Sequence, residues 1–163
     1  MDMKMQGTYD ELYRSLLEIV SFFIRPKQDK LLLQKAGVAL DIALFPLMMQ
    51  IAHHGALGIV ELASEVDRDH STVSRQVDKL VARGLATPTN EVTDRRARKV
   101  RLTDAGAGIA YKIATARRAM MRKALVDWNE EQLASLQDSV RHLAETIRDY
   151  TITGGYRSKR KSA

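Results

Sequence analysis

The sequence predicts a mainly α-helical fold carrying one small β hairpin, and three observations predict it. Apolar residues recur at helical spacing over most of the chain. Two short helical segments follow one another with only a few residues between them. Two short strand patterns come directly after the second helix, and the returning one is strongly basic. The length, 163 residues, fits a single compact domain, and 45% hydrophobic residues suffice for a core. Aromatics are only 6%, so aliphatic side chains must fill most of it.

Near the start, Leu12, Leu16, Ile19 and Phe23 fall on one helical face. Thr8 with Glu11 has the spacing of a capping box, and Pro26 stops the helix. Residues 27–40 read as either a short helix or a packed connection. Asp41 is placed to cap a second helix running to about His54 and closed by Gly55; Pro46 inside it removes a backbone donor, so a kink or a late start is expected. Two helices are then expected over 59–66 and 70–83, the latter ended by Gly84, and strands over 85–88 and 97–102. In the second strand Val100 and Leu102 alternate with Lys99 and Arg101, as in a half-buried strand. Thr103 caps a long helix bearing Ile109, Ile113, Ala116, Met120 and Ala124 on one side. After a break at 127–129, Asn129 with Gln132 restarts a last helix along Leu133, Leu136, Val140, Leu143, Ile147 and Tyr150. Terminal helices with continuous apolar seams point to helix pairing, either between two subunits or within one bundle.

Composition removes several function classes. With no cysteine there are no disulfides, thiolate metal sites or cysteine redox switches. The longest apolar run, Ile42 to Met49, is eight residues, against roughly 20 for a bilayer span, and the first residues lack a secretory layout. A soluble, cytoplasmic protein with no membrane partner is expected. The formal net charge of +6 favours a polyanionic partner. Residues 93–101 hold five cations and one anion, and residues 156–161 hold four cations, either as a solvated disordered end or as auxiliary phosphate contacts.

The chemistry concentrates between Ile59 and Gly106. Leu62, Ala63 and Val66 of its first helix face a core, and Asp69 stands three residues before Thr72, placed to accept from free backbone donors at a helix start. Val73, Val77, Leu80 and Val81 share one face of the next helix. The opposite face turns out Thr72, Arg75 and Lys79, flanked by Ser71 and Gln76. Such a surface suits a DNA major groove, where Arg reaches guanine acceptors and Gln pairs with adenine. An amphipathic helix with a merely solvated face has the same pattern; the basic hairpin that follows, able to lie along a backbone or enter a minor groove, favours the DNA reading.

In order and spacing, LA at 62–63, DHSTVSRQVDKL at 69–80, RGL at 83–85, DRRARKVRLT at 94–103 and Gly106 resemble the MarR family of bacterial winged-helix regulators. The resemblance implies an α/β winged helix-turn-helix fold with about six helices, in a homodimer joined by its terminal helices. Such a protein binds pseudo-palindromic double-stranded DNA, often as a repressor released by a small-molecule effector. On this reading residues 1–40 form an N-terminal dimerisation helix and connection, 41–103 the DNA-binding region, 104–152 the C-terminal dimerisation helices and 153–163 a basic disordered tail. The interface would use Leu12, Leu16, Ile19, Phe23, Leu136, Val140, Leu143 and Ile147. Ser71, Thr72, Ser74, Arg75 and Gln76 would meet the major groove, with Arg68, His70 and Lys79 at its margins. Asp94 would brace Arg96 in the wing, while Arg95, Arg96 and Arg98 approach the minor groove or phosphates. The sequence departs from the family at Arg68, where an apolar residue is usual; its stem would cover the spot while its guanidinium reaches a phosphate or Asp67.

Other chemistry is thinly represented. His53 and His54 are adjacent, hence on different helix faces, and neither they nor His70 and His142 show metal-ligand spacing, so no metal or cofactor is expected. No phosphate loop, nucleophile elbow or cysteine nucleophile suggests an enzyme. Phe45, Met48 and Met49, with Tyr13 and His53 as polar contributors, either line an effector pocket or simply pack the core. Two alternatives stand beside the DNA regulator: a winged helix that docks another protein, and a DNA-binding regulator that senses a metal.

Overall fold

A computed structural model of the chain describes residues 3–23, 25–89 and 99–152. Their elements run α1 (Met3–Phe23), α2 (Pro26–Ala36), α3 (Phe45–His54), β1 (Ala56–Gly58), α4 (Ile59–Glu65), α5 (His70–Ala82), β2 (Ala86–Pro88), β3 (Lys99–Leu102), α6 (Asp104–Ala124) and α7 (Glu130–Ile152). Seven helices are therefore described where about six were expected, because residues 26–36 form their own. Pro26 does not merely stop a helix: it opens α2 at a first-turn position, where its missing N–H costs nothing. Gly37, at φ 65°, ends α2 in the left-handed conformation, its N–H donating to Gln34 O. Thr8 lies inside α1 rather than at its start.

Pro46 resolves as the late start. Asp41 caps a turn, not a helix: its Oδ1 accepts from Ala43 N–H at 2.9 Å and its carbonyl from Leu44 N–H at 2.9 Å. Helix α3 begins only at Phe45, with Pro46 in its first turn. The unexpected strand β1 pairs antiparallel with β3, which pairs antiparallel with β2 on its other side, giving the order β1-β3-β2. Val100 sits opposite both Leu57 and Pro88 and is fully buried.

The chain divides into two units, Met1–Met120 and Met121–Ala163. The first holds the whole described core, from Leu33 on α2 to Ile113 on α6. Fully buried Leu47, Met48 and Ile51 of α3, Leu62 of α4, and Val73, Val77 and Leu80 of α5 form its centre. Among the described residues no polar side chain is buried in it. In the second unit Asn129 and Gln132 cap α7 reciprocally: Asn129 Oδ1 accepts from Gln132 N–H at 2.8 Å, and Gln132 Oε1 from Asn129 N–H at 3.0 Å.

One crossing point ties the hairpin to α6. Thr103 N–H donates to Leu85 O at 3.1 Å, and Thr103 Oγ1 donates to Gly84 O at 2.6 Å while accepting from Gly106 N–H at 3.1 Å. Gly106 lies so close behind that a Cβ there would collide with the Leu85 carbonyl oxygen, whereas a Cβ at Gly108 meets nothing. Gly106→Ala should therefore destabilise the protein by about 3 kcal/mol, whereas Gly108→Ala, in the same helix, should stabilise it by up to ~1 kcal/mol. Urea midpoints of the two variants, compared with wild type, check both signs.

Candidate nucleic-acid interface

Helix α5 is positioned from below by its apolar side. Val73, Val77 and Leu80 are fully buried, which leaves Ser71, Arg75 and Lys79 exposed and Thr72, Ser74 and Gln76 half-buried at the margins. His70 opens the helix and is exposed. The start is set by Asp69, whose Oδ1 accepts from Thr72 N–H at 2.8 Å and from the Ser71 hydroxyl at 2.6 Å. The Ser71 hydroxyl, the Thr72 side chain and the Thr72 N–H, in that order, hold the Asp69 carboxyl well below the usual carboxylate range. Arg75 reaches back over this turn, its Nε donating to Ser71 O and its Nη2 to Ser71 Oγ, both at 3.2 Å. Arg75, Ser71 and Asp69 thus form one chain of contacts on the exposed edge.

The connection between α4 and α5 is short and well determined. Asp67 takes φ 49°, its N–H bonds Ser64 O at 3.3 Å, and the Arg68 N–H bonds Ala63 O at 3.0 Å. This paired arrangement satisfies the last carbonyls of α4. Arg68 does not extend toward Asp67 or outward, as the sequence suggested. Its Nη1 turns inward, donating to Ala43 O at 2.7 Å and to Gln76 Oε1 at 2.9 Å. Arg68 and Gln76, read from sequence as separate contacts, are therefore one unit. The wing residues Asp94, Arg95, Arg96 and Arg98 lie outside the described residues.

The order of elements, a helix pair flanked by a strand before it and a hairpin after it, is that of a winged helix. Comparison agrees: the model of the MarR family matches residues 40–97, from the turn before α3 through the helix pair and past β2. Residues 40–97 thus carry a MarR-family segment. Solved structures similar to it include a MarR family protein from Bacillus stearothermophilus, at 18% identity and TM-score 0.69, covering 91% of this chain and 99% of the other. Staphylococcus aureus MarR in complex with salicylate and kanamycin matches at 16% identity and TM-score 0.70, covering 90% and 96%. A MarR family transcriptional regulator from Silicibacter pomeroyi matches at 22% identity and TM-score 0.64, covering 88% and 95%. No curated protein matches.

In this chain the residues read as an effector pocket separate. Met48 is fully buried in the core, Phe45 packs against that core, and Tyr13 stands exposed on α1. Met49 and His53 do share a cavity of about 440 Å³ with Gln50, Ala110, Ala114 and Arg117. Arg117 escaped the sequence reading because it sits on α6, distant in sequence, and its helical phase beside Ala110 and Ile113 was the only available signal. Among the described residues no group of three or more potential metal ligands is gathered, and no helix is long and apolar enough to cross a membrane.

Of the residues read as an interface, Leu12, Ile19 and Phe23 on α1 and Leu136, Val140 and Ile147 on α7 are exposed, while Leu16 and Leu143 are half-buried. The apolar surface of α1 is wider than its four-residue stripe, since Tyr9, Leu17, Val20 and Phe22 are exposed as well.

The lowered carboxyl of Asp69 gives a signed expectation. A pKa depressed in the folded state stabilises the fold above the ordinary value of 3.8, and that contribution is lost as pH falls below it toward the folded value. Asp69→Ala should therefore lower the urea midpoint at pH 7, and its deficit against wild type should shrink at pH 3. An equal deficit at both pH values would show that the carboxylate charge is irrelevant to the cap.

Proposed function

We propose that this chain is a MarR-family transcriptional regulator that reads double-stranded DNA as a homodimer, with α5 in the major groove, and that acts as a repressor released by a small molecule. The observation that carries the reading is the edge of α5. A fully buried apolar face fixes it in place, and the side turned outward holds hydroxyls, a guanidinium and an ammonium with no large apolar group. A protein-docking surface would call for an apolar anchor there. The formal charge of +6 suits a phosphate backbone, and Arg95, Arg96 and Arg98 would add phosphate or minor-groove contacts, with Asp94 bracing Arg96.

Dimerisation is supported by α1 and α7. On α1 Val20 is 51% exposed and Phe23 56%, on α7 Val140 is 54% and Ile147 52%, and apolar side chains exposed along a helix in this way call for a partner. A second copy would set two α5 helices in successive major grooves, about 34 Å apart. The effector reading is supported by the cavity holding Met49, His53 and Arg117, whose apolar wall and cation suit a small anionic molecule. The similar Staphylococcus aureus protein was solved with salicylate and kanamycin.

Selection of bound duplexes from a random pool tests the reading, and a two-fold symmetric motif is expected. Binding should weaken steeply with added salt, whereas salt-insensitive association with a protein would favour the docking alternative. Arg75→Ala should cost about 1–3 kcal/mol on the selected site and blur one base position. Val140→Glu should sediment as a monomer; an unchanged dimer would remove α7 from the interface.

A further inference from the structure

We propose that Arg68 is a positioning residue that biases Gln76 toward donating, so that Gln76 selects guanine over the adenine its side chain would otherwise pair. The inference rests on the proposal that α5 faces DNA. Both hydrogens of Arg68 Nη1 are used, one on Ala43 O at 2.7 Å and one on Gln76 Oε1 at 2.9 Å. A guanidinium has donors and no acceptor, so the amide atom facing it must be the oxygen, and the orientation of the Gln76 amide is fixed by chemistry. The bond is also charge-assisted, hence stronger than a contact between neutral groups.

Arg68 is itself held from three sides. Its backbone is fixed by the N–H bond to Ala63 O and by the left-handed turn at Asp67. The carbonyl it grips belongs to a turn that Asp41 pins through the Ala43 and Leu44 N–H groups. It is half-buried, so water competes poorly for it. Gln76 stands one helical turn after Thr72 on the flank of the exposed edge, and its Nε2 donates to no described residue. Glutamine pairs adenine by accepting from N6 and donating to N7 together; Arg68 takes one of the two lone pairs of that oxygen and its positive charge draws density from the other, so acceptance from N6 is weakened. Guanine offers two acceptors, N7 and O6, and the two hydrogens of Nε2 match them.

The test selects duplexes from a random pool with wild type, Gln76→Ala and Arg68→Met, the last keeping the length of the stem without its donors. The position at which Gln76→Ala differs from wild type is the one Gln76 reads. Wild type should prefer guanine there over adenine by about tenfold, and Arg68→Met should shift that ratio toward adenine by a similar factor while leaving other positions unchanged. A wild-type preference for adenine, an unshifted ratio in Arg68→Met, or no position sensitive to Gln76 overturns the inference. Should Arg68→Met not fold, the wild-type guanine-to-adenine ratio still decides. A wild-type protein that recovers no motif at all sinks the DNA reading itself; a recovered motif without these features sinks only the role of Arg68.

Discussion

Burial of Val73, Val77 and Leu80 sets the rotational phase of α5, and the rest of the candidate interface depends on that phase. A helix rotated by one residue would turn an apolar side chain to solvent at a cost of roughly 1.5–3 kcal/mol for each one moved. The edge that carries Ser71, Arg75 and Lys79 is outward because the opposite side has no alternative. Everything finer is adjustment within that frame: the cap at Asp69, the backward reach of Arg75 and the inward turn of Arg68.

What was legible in the sequence was whatever is decided over a few residues. The caps at Asp69, Thr103 and Asn129, the apolar rhythm of α5 and the alternation in β3 are local, and each can be read from spacing alone. What stayed hidden is decided across the chain. The Leu31–Leu33 run of α2 is consecutive, not periodic, so no window distinguishes helix from packed connection there. Strand β1 is three residues long and exists only because β3 pairs with it. Pro46 announced a disturbance, but only the Asx turn at Asp41 shows why the chain delays the helix instead of kinking it.

The site divides the same way. Its residue types and their face on α5 followed from periodicity, while the pairing of Arg68 with Gln76 did not, because Ala43 comes from a distant turn. A charged residue at a spot that usually takes an apolar one was a visible departure. Its resolution is physical: the aliphatic stem fills the space, and the guanidinium finds a carbonyl and an amide oxygen already in place. Likewise Met48 and Met49 look equivalent in sequence, but successive helical positions differ by about 100°, which sends one into the core and the other toward His53.

Neither α1 nor α7 contributes a side chain to the buried cluster that Leu33 through Ile113 form. That buried cluster closes on itself. In the proposed dimer, dilution would then part the subunits without melting either head, and regaining the pair would need only an encounter, not a refolding event. Occupancy of DNA by the proposed dimer would then follow the copy number of intact subunits, with association as the step that sets its sharpness.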